Sequence, residues 1–226
     1  MRPKIVRICT ALAMAVFLIG FTIAYTLAYV VGGSKSPPGT YSIVNNYISD
    51  LGNYKYTPVP YLFDTICIVT AILLAILFTY INKVLLHELD ETKESLTPKR
   101  IRLLNGIRLL GFIGSIVGLV GFSGVGVFSE GTRIGDFKHM HYVVSVIVWS
   151  GFAIGSLGLG LLAVLRKIFI PKPLGVFMII GPLASVVLFA IAEAVQGPSQ
   201  PLEWVMLVAI FWWTIPIGVI ILKMTR

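Results

Sequence analysis

Six long runs of apolar residues constrain what this chain can fold into. The runs cover about residues 5–31, 58–85, 103–128, 139–165, 173–195 and 202–222. Each is longer than the roughly 18 residues that a helix needs to cross the hydrocarbon core of a bilayer. Because backbone polar groups in lipid must be paired within the segment itself, such runs form helices. The sequence therefore predicts an all-α fold, a single-domain polytopic membrane bundle of six transmembrane helices.

The composition agrees with a membrane protein. Hydrophobic residues make up 57% of the chain and charged residues 12%, which is about half the charged fraction of soluble domains. The net charge of +8 would suit a nucleic-acid-binding protein, but the basic residues lie in short links between the apolar runs. In that position they set membrane orientation. We therefore expect membrane lipid, and no nucleic acid, as a partner.

The distribution of lysine and arginine predicts the orientation of the bundle. Of the 18 such residues, 14 lie on one side of the predicted membrane, in the two terminal segments and in the second and fourth links. Basic residues accumulate in cytoplasmic segments. We expect a multi-pass protein of the cell membrane with both termini in the cytoplasm.

Most of the acidic residues fall at the opposite, outer end of the predicted spans. These six of the ten acids are Asp50, Asp64, Glu130, Asp136, Glu193 and Glu203. Ionisable groups at membrane depth are costly and mark functional sites. We predict that residues from separate helix tops line an outward-opening polar pocket. Its predicted ligand-binding residues are Asp50, Asp64, Glu130, His141 and Glu193.

Two histidines stand at the start of the fourth run. His139 and His141 are two positions apart, which is about 200° of helical rotation, so they face opposite sides. We expect His141 to face inward on the same face as Ser145, and His139 to stay at the rim. A histidine near a helix start is also commonly a hydrogen-bonded structural group, and that alternative stays open.

The same residues supply the candidates for a metal site. His141, Asp64 and Glu193 are ligand types that zinc accepts, but their spacing matches no diagnostic motif. A haem cofactor is disfavoured because His87 lies on the inner side, which leaves no paired axial ligands within the spans.

Local signals predict how the elements begin and pack. Ser49 or Asp50 suits the cap of a short helical turn, and Gly52 suits a positive φ. Thr97 before a proline predicts a helix start. Glycines four apart, at 114 and 118 and again at 151 and 155, predict close packing of the third and fourth spans.

Several of these motifs together resemble the domain-of-unknown-function 998 family of six-span archaeal and bacterial membrane proteins. They are Tyr-Ile-Ser-Asp-Leu-Gly at 47–52, Leu-Phe-Asp at 62–64, Gly-Val-Phe-Ser-Glu at 126–130, His141 and Glu193. The family usually has Asn at the position of Asp64 and Pro at that of Ser129, so the resemblance does not require a charge at position 64. It implies a six-span fold and an outer site. The family is in turn similar in layout to the FRAG–DRAM–SFK group, whose members are linked to lipid handling.

These observations favour a protein that binds a lipid or amphiphile headgroup in a polar pocket of the outer leaflet. One alternative is a membrane-embedded, metal-dependent hydrolase or transferase with His141 as base or ligand. Others are a small transporter using Asp64 and Glu193, and a non-catalytic subunit held to other membrane subunits by its glycine-rich faces. The sequence leaves these alternatives open.

Overall fold

The architecture is that of an all-α membrane bundle. The structure, a computed structural model, describes residues 2–91, 96–130, 139–197 and 199–225, with only the backbone at 196. Within these ranges its long helices are α1 Pro3–Val30, α2 Pro60–Glu91, α3 Pro98–Val127, α4 Met140–Leu165, α5 Lys172–Gln196 and α6 Gln200–Met224. Each of the six is long and apolar enough to cross a membrane. The predicted fold class is confirmed: this is a multi-pass membrane protein.

Two helices extend past the apolar runs that predicted them. The second helix continues to Glu91 and the third begins at Pro98, because helical hydrogen bonding does not require apolar side chains. His87 Nδ1 and Glu91 Oε1 lie 3.5 Å apart on successive turns of this extension. Thr97 caps the next helix, as predicted, and accepts a hydrogen bond from the Arg100 N–H at 3.4 Å.

The helices form a ring in chain order. Each helix packs against the next one along the chain, α6 returns to α1, and the α1–α6 contact is less extensive than those between successive helices. Neighbouring helices are antiparallel, so the start of α1 and the end of α6 share one end of the bundle, here called the terminal end. The opposite end, here called the loop end, carries residues 31–59 and the starts of α2, α4 and α6.

The tightest helix pair is α3 with α4, as the glycine spacing predicted. A Cβ atom added at Gly114 would lie 2.5 Å from the backbone nitrogen of Gly155. No side chain tolerates such a distance, so the missing side chains let the two backbones touch. Close approach of this kind replaces the hydrophobic drive that lipid does not supply.

The long segment over the loop end contains a short 3₁₀ helix, Ile48–Gly52. Asp50 caps it, since its Oδ2 accepts a hydrogen bond from the Tyr47 N–H at 3.0 Å. The prediction of a positive φ at Gly52 is wrong, because its φ is not positive. Glycine is needed there for space instead: a Cβ atom would lie 2.9 Å from Asp64 Oδ1.

Candidate functional site

The segment over the loop end is fastened to the first turn of α6. Glu203 Oε2 accepts a hydrogen bond from the Ile48 N–H at 2.6 Å. One residue along, Trp204 Nε1 donates to the carbonyl of Asn46 at 2.9 Å. Glu203 and Trp204 are both buried, with 8% and 7% of their surface exposed. The 3₁₀ helix is therefore held down on the bundle by two adjacent buried side chains.

A second fastening involves Glu193, near the end of α5. Its Oε1 accepts hydrogen bonds from the Tyr47 hydroxyl at 2.9 Å and from the Ser199 N–H at 2.6 Å. One carboxylate oxygen thus ties the loop segment to the turn between α5 and α6. The sequence predicts Glu193 as a ligand-binding residue. In the structure, its hydrogen bonds to Tyr47 and Ser199 connect two parts of the protein itself.

Four carboxyl groups converge beneath this segment. Asp50, Glu130 and Glu193 all lie within electrostatic range of Glu203, and Asp50 and Glu130 are close enough to share a hydrogen bond. We call these four residues the carboxyl cluster. Three of the five predicted ligand-binding residues belong to it, and whether they bind a ligand stays a prediction.

Burial changes the acid–base behaviour of the loop residues. Asp50 is only 4% exposed, and burial, followed by the neighbouring carboxylate of Glu130, raises its pKa to about 7. Burial also raises the pKa of Tyr41 and of Tyr47 well above the usual range. Both hydroxyls therefore stay protonated. Both can therefore keep donating hydrogen bonds. The Tyr41 hydroxyl donates to the Tyr47 carbonyl at 2.8 Å.

His141 joins two helices and faces the carboxyl cluster. Its Nδ1 lies 2.8 Å from the carbonyl oxygen of Phe128 at the end of α3. A carbonyl only accepts, so Nδ1 carries the proton of the neutral ring and Nε2 is left as an acceptor. His141 is half-buried and within electrostatic range of Asp50, whereas His139 is exposed. The remaining residues of that predicted polar link, 131–138, lie outside the described ranges.

Asp64 occupies a separate position under Gly52. Its carboxyl group is hydrogen-bonded by the Ser129 side chain, while its Oδ1 is buried and has no hydrogen-bond partner among the described residues. The Asp64 backbone carbonyl is packed against Gly126 of α3. This residue therefore sits in the α2–α3 contact rather than in the carboxyl cluster.

The three candidate metal ligands do not come together. Across the described ranges, no three or more His, Cys, Asp or Glu side chains are grouped so as to hold a metal ion. Asp64 lies against α3, His141 bonds Phe128, and Glu193 bonds the loop segment. The geometry offers no support for a metal centre built from these residues.

A central cavity lies below the carboxyl cluster, inside the ring of helices. Its volume is about 50 Å³. Its polar wall residues are Ser49, Ser145, Thr214 and Glu203, and the rest of its lining is aromatic and aliphatic, including Phe17 and Phe211. Ile48 and Ser49 of the 3₁₀ helix form part of the lining, so the loop segment closes the cavity at the loop end.

Fold and site together define a multi-pass membrane protein in which a capping loop and a cluster of carboxyl groups cover an apolar cavity. In comparisons with known proteins, no family model, no curated protein and no solved structure matches the chain. The class therefore comes from the fold and the site alone.

The sequence reasoning left out the residue at the centre of the site. Glu203 was recognised as an outer acid but was not included among the ligand-binding residues. The available signal was its position in the first turn of a span, next to a tryptophan. Its contact with Ile48, 155 positions earlier, depends on the path of the loop segment, and no local pattern encodes that path.

Proposed function

We propose that the protein binds a lipid or another amphiphile, with the polar end at the carboxyl cluster and the apolar part in the central cavity. One observation carries the proposal: Glu203 belongs to the cluster and also lines the cavity. A ligand that reaches this residue has a polar partner on one side and hydrocarbon walls on the other. Binding pockets commonly combine apolar walls with a few convergent polar groups in this way.

The chemistry of the cluster favours a headgroup that donates hydrogen bonds or carries a positive charge. Carboxylates only accept hydrogen bonds, and a buried carboxylate is stabilised by an opposite charge. The charged groups named in the electrostatic surroundings of Asp50 and Glu203 are other carboxylates. A positively charged headgroup would offset the repulsion among these carboxylates, and a hydroxyl-bearing one would donate a further hydrogen bond. On the predicted orientation, this end of the bundle faces the outer leaflet, in keeping with the resemblance to the domain-of-unknown-function 998 family.

Native mass spectrometry of the purified protein tests the proposal. The probes are an alkylamine, an alkyl alcohol and a fatty acid of equal chain length. We expect the alkylamine to be retained most strongly and the fatty acid least. Glu203→Gln keeps an oxygen for the Ile48 N–H but removes the negative charge. We expect it to weaken alkylamine retention roughly tenfold to a hundredfold, because hydrogen bonds to charged groups contribute about 1.5–3 kcal/mol.

The matched control is Glu91→Gln, the same chemical change at the terminal end. Its side chain is 66% exposed, and we expect retention as in the wild type. Equal retention of the three probes by the wild type, or an equal loss in both variants, would contradict the proposed function.

A further inference from the structure

The central cavity continues deeper into the bundle. A second cavity, of about 20 Å³, lies between α1, α2 and α6. The two cavities share the wall residues Phe17, Leu74, Phe211 and Thr214. The rings of Phe17 and Phe211 are stacked, with centroids 3.9 Å apart. These two stacked side chains belong to the wall that the cavities share.

The two cavities together extend along most of the membrane thickness. Their lining on α6 runs from Glu203 to Gly218, which at the helical rise of 1.5 Å per residue is about 22 Å. On α2 it runs from Phe63 to Leu77, which is about 21 Å. The hydrocarbon core is roughly 30 Å thick. The path therefore begins at the carboxyl cluster and passes the middle of the bilayer.

The deeper cavity lies close to the outer surface of the bundle. Leu18 lines it and has 45% of its surface exposed on the outside of the bundle. The wall at this place is formed by α1 and α6, which pack less extensively than successive helices do. In this wall Met14 faces Gly218, where an added Cβ would lie 3.1 Å from Met14 Sδ. A flexible thioether opposite a glycine is the most easily displaced part of such a wall.

We propose that the two cavities form one binding path for a single unbranched hydrocarbon chain, which passes between α1 and α6 and places its polar end at Glu203. The inference rests on the proposed function and adds the class of ligand, a single-chain amphiphile. The shared wall has one residue on α1, one on α2 and two on α6, and so narrow a junction suits a single unbranched chain. Binding separates the stacked rings of Phe17 and Phe211, since the present volumes accommodate only part of a chain.

Chain-length dependence tests this path. Native mass spectrometry with a series of linear alkylamines should show wild-type retention rising roughly fourfold per added methylene, the factor expected for burying one CH₂ group. Gly218→Leu fills the deeper cavity, so the rise should stop at a shorter chain. Gly106→Leu is the matched control, because a Cβ there meets no atom within 4 Å, and it should behave as the wild type.

A milder substitution keeps the test valid if Gly218→Leu fails to fold. Gly218→Ala brings only a Cβ atom towards the flexible Met14 side chain, and it should shorten the preferred chain by a smaller amount. Thermal unfolding of each variant shows whether the bundle is intact.

The outcomes separate this inference from the proposed function. Retention of no probe by the wild type overturns both. Retention with the same length dependence in the Gly218 variants and in Gly106→Leu overturns the chain path and leaves the headgroup site standing. Retention that does not depend on chain length also overturns the path. It would mean that the hydrocarbon chain lies on the outer surface of the bundle, or that water occupies the deeper cavity. Thr70 lines that cavity, and its buried hydroxyl has no partner among the described residues.

Discussion

At the scale of single residues, the loop segment depends on a few buried acceptors. Asp50 Oδ2 accepts from the Tyr47 N–H at 3.0 Å and from Asn46 Nδ2 at 3.3 Å. Glu203 accepts from Ile48. Burying acidic groups costs free energy unless they are hydrogen-bonded or neutralised. The hydrogen bonds of the segment are therefore favourable, whereas the burial of its charged carboxylates is unfavourable. The net stability of the segment depends on whether these carboxyl groups are protonated.

Protonation of Asp50 should make the attachment of the loop segment pH-dependent. Its folded-state pKa of about 7 exceeds the unfolded value of about 3.9. The contribution to stability is therefore fully present below about pH 4 and is lost as the pH rises through 7. Hydrogen exchange of amides in residues 41–57, corrected for intrinsic rates, should show more frequent opening well above pH 7 than well below it.

Replacement of this one carboxyl group identifies the titrating residue. Asp50→Asn keeps an acceptor for the Tyr47 N–H but does not titrate, so the exchange difference between the two pH values should largely disappear. Glu130, Glu203 and His141 also face Asp50 and remain unchanged in this variant. If the full pH dependence persists in Asp50→Asn, one of these groups is responsible and the assignment is wrong.

At the scale of elements, the α3–α4 pair holds the start of α4, and with it His141, close to α3. Gly114→Ala would place a Cβ atom 2.5 Å from the Gly155 nitrogen, so the helices must separate. Overpacking of this kind costs about 1–3 kcal/mol, and we expect a clearly lower midpoint in thermal unfolding in detergent. Gly106→Ala, whose added Cβ meets open space, should unfold like the wild type. Equal midpoints for the two variants would show that the contact contributes little.

Features that depend on residues close together in the sequence were predicted correctly, and features that depend on distant residues were not. The helices and the α3–α4 contact were predictable because apolar length and glycine spacing act within one or two neighbouring segments. The role of Gly52 was predicted wrongly: its need for glycine comes from Asp64, on another element. Glu203 was missed for the same reason, since its partner Ile48 is brought to it only by the path of the loop segment.

At the scale of the whole molecule, the site depends on which side of the membrane the loop end faces. The excess of Lys and Arg at the terminal end predicts that the loop end is extracytoplasmic. Tyr54 is 62% exposed at the loop end, and Lys99 is exposed near the start of α3 at the terminal end. With Cys9 and Cys67 replaced, a membrane-impermeant maleimide should label Tyr54→Cys in intact cells and Lys99→Cys only after permeabilisation. The reverse pattern would place the carboxyl cluster in the cytoplasmic leaflet, where the anionic surface would concentrate cationic amphiphiles near it. The same cluster and cavity would then draw their ligand from the other monolayer.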